Sequence, residues 1–157
     1  MGVADLRKRL EISKYMKQWS RAEWFIDDEG RIDVQGTVNI SGFKENVLPI
    51  KFGHVKGNFI VSHSKINTME NFPYQVNGYL LCNRTEIENL EHMPKTIGGL
   101  VSMADNKLKT LENTNETIHG DVDFRGNAVE FTEEDVKKNF NLDPEMKIYV
   151  VDKTDDN

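Results

Sequence analysis

The groups in this chain with chemical potential are four histidines, one cysteine and a repeated polar column. His54, His63, His92 and His119 include no pair at metal-ligand spacing on one element, which argues against a histidine metal site. Cys82 stands alone, so no disulfide can close within the chain and no Cys-rich zinc site can be built. It shares its column with Val61 and Met103 and reads as a small buried apolar residue. No P-loop, nucleophile elbow or Gly-x-Gly-x-x-Gly fingerprint is present, and no cofactor is implied. What remains is His63, Arg84 and Asp105, each 21 residues from the next, with Gly126 following in step. On neighbouring strands such residues stand about 5 Å apart. They form either a surface charge ladder of small energetic weight or the polar edge of a recognition strip. A catalytic triad is disfavoured because no nucleophile joins them, and the expectation is a non-enzymatic protein.

The 21-residue interval runs through the chain. Gly36, Gly57, Gly78, Gly99 and Gly120 keep it, as do Val34, Val55, Val76, Ile97 and Ile118 two residues earlier. Two residues after each glycine stand Val38, Phe59, Leu80, Val101 and Val122, followed two further on by Ile40, Val61, Cys82, Met103 and Phe124. Ile66, Ile87, Leu108 and Val129 form another column, and Leu48, Met69, Leu90 and Leu111 a last one. Columns this regular define a repeat architecture in which each unit buries its apolar edge only against its neighbours. Apolar positions two apart point the same way on an extended segment, so Phe59-Ile60-Val61 predicts a short strand with one face inward. The glycine before each strand reads as a turn that other residues resist.

Val101-Ser102-Met103-Ala104-Asp105-Asn106-Lys107-Leu108-Lys109-Thr110-Leu111 resembles the leucine-rich-repeat core L-x-L-x-x-N-x-L-x-x-L. With the glycine before the strand, the units are similar to a short variant in uncharacterised proteins of large tailed phages and of bacteria. The resemblance covers roughly residues 32–131 and implies a solenoid of stacked parallel strands with irregular or short-helical returns. It also implies a phage-encoded protein acting on a host or defence protein. The ladder asparagine occurs as Asn106 and Asn127 but is replaced by Thr85, Ser64 and Phe43, which predicts a less regular N-terminal half. In the first unit Glu45 takes an apolar position, and Val47 is the expected replacement.

Solenoid ends need caps. The expected organisation is one domain over 1–157: an N-terminal cap over 1–31, five repeats over 32–131, a C-terminal cap over 132–152 and a flexible tail over 153–157. Leu6, Leu10, Ile12, Met16 and Trp19 lie near helical spacing and are expected to cover the first coil. Trp24-Phe25-Ile26 and Ile32-Asp33-Val34 predict a hairpin across Asp27–Gly30. Thr132 begins a helix with acids in its first turn, Asp143-Pro144 ends it, and Lys147 to Val151 predicts a last strand.

The chain has 157 residues and a formal charge of −6, so bulk attraction to nucleic acid is not expected. Over residues 1–24, however, Arg7, Lys8, Arg9, Lys14, Lys17 and Arg21 outnumber Asp5, Glu11 and Glu23, and a nucleic-acid-associated role for this basic helix is the alternative reading. No apolar run reaches the roughly 20 residues of a membrane span, and no signal-peptide core follows the N-terminal charges. These features predict a cytoplasmic protein, in the host cytoplasm if phage-encoded. By strand alternation, Ile60, Leu81 and Ser102 face outward, with Asn58, Tyr79 and Leu100 two residues before each. Ile60, Tyr79, Leu81 and Leu100 thus form an apolar patch on the expected concave face, with His63, Arg84 and Asp105 at its rim. Such a patch predicts a protein-binding surface for a partner the sequence does not identify.

Overall fold

A computed structural model of the chain describes residues 2–112 and 115–151; the tail expected over 153–157 lies outside them, as does Asp152. The repeats wind into a β-solenoid of about five turns with stacked parallel strands. Each turn carries two short strands. The segments before the glycine form a seven-stranded sheet of β1 (Trp24–Ile26), β2 (Ile32–Val34), β4 (Phe52–Val55), β6 (Gln75–Val76), β8 (Thr96–Ile97), β10 (Thr117–Ile118) and β12 (Asn141–Leu142). The segments after it form a six-stranded sheet of β3 (Val38–Asn39), β5 (Phe59–Ile60), β7 (Leu80–Leu81), β9 (Val101–Ser102), β11 (Val122–Asp123) and β13 (Ile148–Tyr149). Residues 21 apart are register partners in both sheets, as in Leu80 with Phe59 and Val101, or Val76 with Val55 and Ile97.

The seven-stranded sheet and the extended third side differ from the expected returns, which were to be irregular or helical. Thr and Gln beside Val or Ile, as in Gln75-Val76 and Thr96-Ile97, suit a half-buried extended strand. On the third side the backbone also bonds from turn to turn: Lys65 N–H donates to Phe43 O at 2.9 Å, Glu86 to Ile66 O at 2.9 Å and Lys107 to Ile87 O at 3.0 Å. Both helices among the described residues lie outside the repeats: α1 (Val3–Trp19) and α2 (Glu133–Asn139).

The glycine column has a different cause from the expected turn. Gly57, Gly99 and Gly120 do not adopt left-handed backbone; a Cβ on any of them would run into the backbone of the preceding turn. Successive turns touch here, with Gly78 N–H donating to Gly57 O at 2.9 Å and Gly99 N–H to Gly78 O at 2.8 Å. Left-handed backbone marks instead the corner after the second strand, at Gly42 (φ 79°), His63 (56°), Arg84 (58°), Asp105 (56°) and Gly126 (70°), and recurs elsewhere at Gly30 (78°), Asn71 (71°), His92 (67°) and Asn115 (67°).

Inside, the columns from Val38 to Val122 and from Ile40 to Phe124 are buried throughout. The asparagine ladder bridges the last turns: Asn106 Oδ1 accepts from Thr85 N–H at 2.7 Å and from Thr85 Oγ1 at 2.9 Å, while Asn127 Nδ2 donates to Met103 O at 3.0 Å. One unit earlier Ser64 Oγ is buried with no partner among the described residues. Phe43 leaves the ladder and packs edge-on against Trp19 at 5.7 Å, serving the N-terminal cap.

The ends depart from the period in three places. Helix α1 covers the first coil through Ile12, Met16 and Trp19, whereas Leu6 and Leu10 remain 51% and 62% exposed. At 100° per residue they lie across the helix from the buried face. Val47 stays exposed, and Leu48 and Ile50 fill the first coil. Val129 is also exposed, because the chain leaves the stack for α2 and Phe131 takes over, 6.5 Å edge-on from Phe124. Thr132 and Asp135 form a reciprocal capping box at the start of α2, and hydrogen bonds from Thr132 hold the Asp135 carboxyl below its ordinary pKa. Strands β12 and β13 then add a further rung to each sheet.

Candidate functional site

The outward face of the second sheet is built by alternation. Leu80 is sealed in the core, so its neighbour Leu81 must face away. Parallel register then stacks Asn39, Ile60, Leu81, Ser102 and Asp123 in one outward column, which β13 extends to Tyr149. Two residues before them runs the parallel column Thr37, Asn58, Tyr79, Leu100 and Asp121. Ile60, Tyr79 and Leu81 are partly exposed and Leu100 is 43% exposed, which gives an apolar strip across three turns. Ser102 continues it as a partly exposed polar residue. Asn58 is committed locally, its Oδ1 accepting from Tyr79 N–H at 3.0 Å. This bond fixes the backbone that carries the strip's aromatic residue.

Polar groups close both ends of the strip. Thr37 and Asn39 lie on one side, and Thr37 Oγ1 accepts from Asn58 N–H at 3.1 Å. Beyond Leu100 and Ser102 come Asp121 and Asp123. Arg125 holds Asp123 at 2.7 Å and lies 5.3 Å over the ring of Tyr149. The 21-residue period does not mark Tyr149, because β11 and β13 are 26 residues apart. The observable signal was the alternation in Lys147-Ile148-Tyr149-Val150, which matches a strand of the sheet.

His63, Arg84 and Asp105 are brought together at the corner beside the strip, all exposed. Arg84 Nε stands 3.7 Å from Asp105 Oδ2 with both side chains well solvated, so the pair adds little stability. Their shared column is set by backbone conformation, and the glycines at 42 and 126 are its sequence signature. Left-handed backbone at a non-glycine residue costs about 1–2 kcal/mol, part of which a glycine returns as unfolded-chain entropy. Arg84→Gly should therefore raise stability by up to about 1 kcal/mol, a rise of roughly 2–4 °C in Tm. A lower melting temperature by calorimetry would show that the Arg84 side chain contributes more than the exposed ion pair.

Burial pushes the Cys82 thiol pKa well above its ordinary value, which suppresses the thiolate. Among the described residues no group of three or more His, Cys, Asp or Glu converges as a metal site would require. A shallow groove of about 690 Å³ on the third side is lined by Asn46, Lys65, Asn67, Glu86, Glu88 and Lys107, and Lys107 pairs with Glu86 there. Among the described residues no helix is long and apolar enough to cross a membrane. Comparison with family models, curated proteins and solved structures gives no match to this chain.

Proposed function

We propose that this protein is a non-enzymatic interaction module that binds a partner protein through the outward face of β5, β7 and β9. The observation that carries this reading is the strip of Ile60, Tyr79, Leu81 and Leu100: contiguous, partly exposed, rimmed by polar groups and held on a hydrogen-bonded scaffold. Rigid presentation lowers the ordering cost of binding. Apolar and aromatic residues at the centre of a patch carry most of an interface's energy. The resemblance to short leucine-rich repeats supports the same use of a strand face. It extends the proposal to a phage-encoded protein that meets a host or defence protein in the host cytoplasm. The basic helix α1 is the rival surface, for nucleic acid; there binding would fall steeply between 50 and 200 mM salt.

Affinity capture with the intact chain and matched variants tests the reading. Leu81→Glu and Tyr79→Ala should each weaken capture of the same partner about 30-fold, the equivalent of roughly 2 kcal/mol. Stability should change by less than about 1 kcal/mol, because neither side chain fills the core. His63→Ala with Asp105→Ala at the rim should change capture little. Normal capture by Leu81→Glu, with loss in the rim or α1 variants, would remove the strip as the site.

A further inference from the structure

Among the described residues, two groups of neighbouring apolar side chains stand exposed. One is the strip just described. The other is the outer side of α1, where Val3, Leu6 and Leu10 are 69%, 51% and 62% exposed. At 100° per residue these three fall within about 60° of one another, on the side opposite Ile12, Met16 and Trp19. The helix is fixed to its own coil by that buried face, so its outer side cannot turn onto its own second sheet while the cap stays docked.

The two surfaces match in length, order and charge. Val3 to Leu10 spans about 10 Å along a helix. Ile60 to Leu100 spans two strand steps, also about 10 Å. Along α1 the apolar residues give way to Lys14 and, on the same side, Lys17; Lys14 lies about 6 Å beyond Leu10. Along the sheet the apolar residues give way to Asp121 and Asp123, about 5 Å beyond Leu100. Arg7 adds a third exposed cation on that side of α1. Asp123 is held by Arg125, so Asp121, whose Oδ1 also accepts from Lys147 N–H at 2.9 Å, is the carboxylate nearer to an incoming lysine. The wider balance agrees: residues 1–24 hold six basic and three acidic side chains, and the rest of the chain fourteen and twenty-three.

We infer that a second copy of this chain docks the outer face of its α1 onto the strip of β5, β7 and β9, with Lys14 and Lys17 toward Asp121 and Asp123. The inference rests on the strand face being a protein-binding surface and names an occupant for it. The contact joins unlike surfaces, so it forms a closed set or an open chain of copies according to the rotation between them. Its small area makes the association weak and concentration-dependent.

Sedimentation of the intact protein from about 10 µM to 1 mM tests this, a window suited to weak contacts. The wild type should sediment beyond its 18.1 kDa monomer as concentration rises, and less so at high salt. Leu6→Glu with Leu10→Glu should weaken association at least tenfold, as should Leu81→Glu. An equimolar mixture of the two variants should recover a one-to-one dimer, because one supplies an intact strip and the other an intact helix face. Melting curves confirm folding, and Leu81→Ser replaces Leu81→Glu if the latter fails to fold. A wild type that stays monomeric to 1 mM, or a mixture no better than its components, overturns self-docking while leaving the face open to another protein. Wild-type association undiminished by the Leu81 substitution also overturns self-docking, whereas the strand-face reading falls separately, if Leu81→Glu captures the partner protein normally.

Discussion

Leu80→Asp should abolish the folded state, whereas Leu81→Asp should leave it intact. Leu80 is 0% exposed, in register between Phe59 and Val101 at the middle of the stack. Truncating a buried leucine costs about 2–5 kcal/mol. A buried carboxylate without a partner adds several kcal/mol, and the aspartate answers in part by taking up a proton. The sum reaches the roughly 5–15 kcal/mol that holds a domain together. Val101→Asp should behave alike, since its column is equally sealed. One residue along, Leu81 faces outward, and its substitution should cost less than about 1 kcal/mol. Circular dichroism with urea titration measures the contrast. A Leu80→Asp protein with an unchanged midpoint would place the strand one residue out of register.

The second large effect comes from a single methyl group. Gly120→Ala puts a Cβ onto the backbone of Gly99 and Leu100. Backbone cannot swing aside as a flexible side chain can, so the two turns must separate at a corner where they already touch. Overpacking of this kind costs about 3 kcal/mol. Gly42→Ala is the control. It has open space within 4 Å but a φ of 79°, so it carries only a conformational cost of about 1–2 kcal/mol. Equal losses at both positions, read from denaturation midpoints, would mean that backbone conformation and not the close approach selects glycine at 120.

The contrast between the two glycine columns shows where sequence reading works. The period located Gly36 to Gly120 without ambiguity, but a glycine can be required for its dihedral angles or for its missing Cβ, and the letter is the same. The reverse holds at the other corner. His63, Arg84 and Asp105 read as a polar column because their side chains are polar, although their common property is a left-handed backbone hinted at by Gly42 and Gly126. The outward strip was legible because alternation needs only the identity of the inward residues, and Leu80 and Val101 are inward beyond doubt.

What the sequence determined by itself was the translational part of the fold: the 21-residue turn, the inward columns and the face on which Ile60, Tyr79, Leu81 and Leu100 lie. A repeated unit states its own contacts, since each residue packs against its equivalent one period away. Tertiary structure alone decided what lacks that symmetry. Phe43 joins the aromatic cluster under Trp19, Val129 gives its place to Phe131, and Leu6 and Leu10 are left in solvent while Ile12 and Met16 are buried. At a chain end the neighbour is a helix with a period of 3.6 residues against one of 21, and which side chains meet depends on the docking angle between them. Spacing along the sequence does not encode that angle; it is set by how bulky side chains such as Trp19 and Phe131 fill the open ends of the stack.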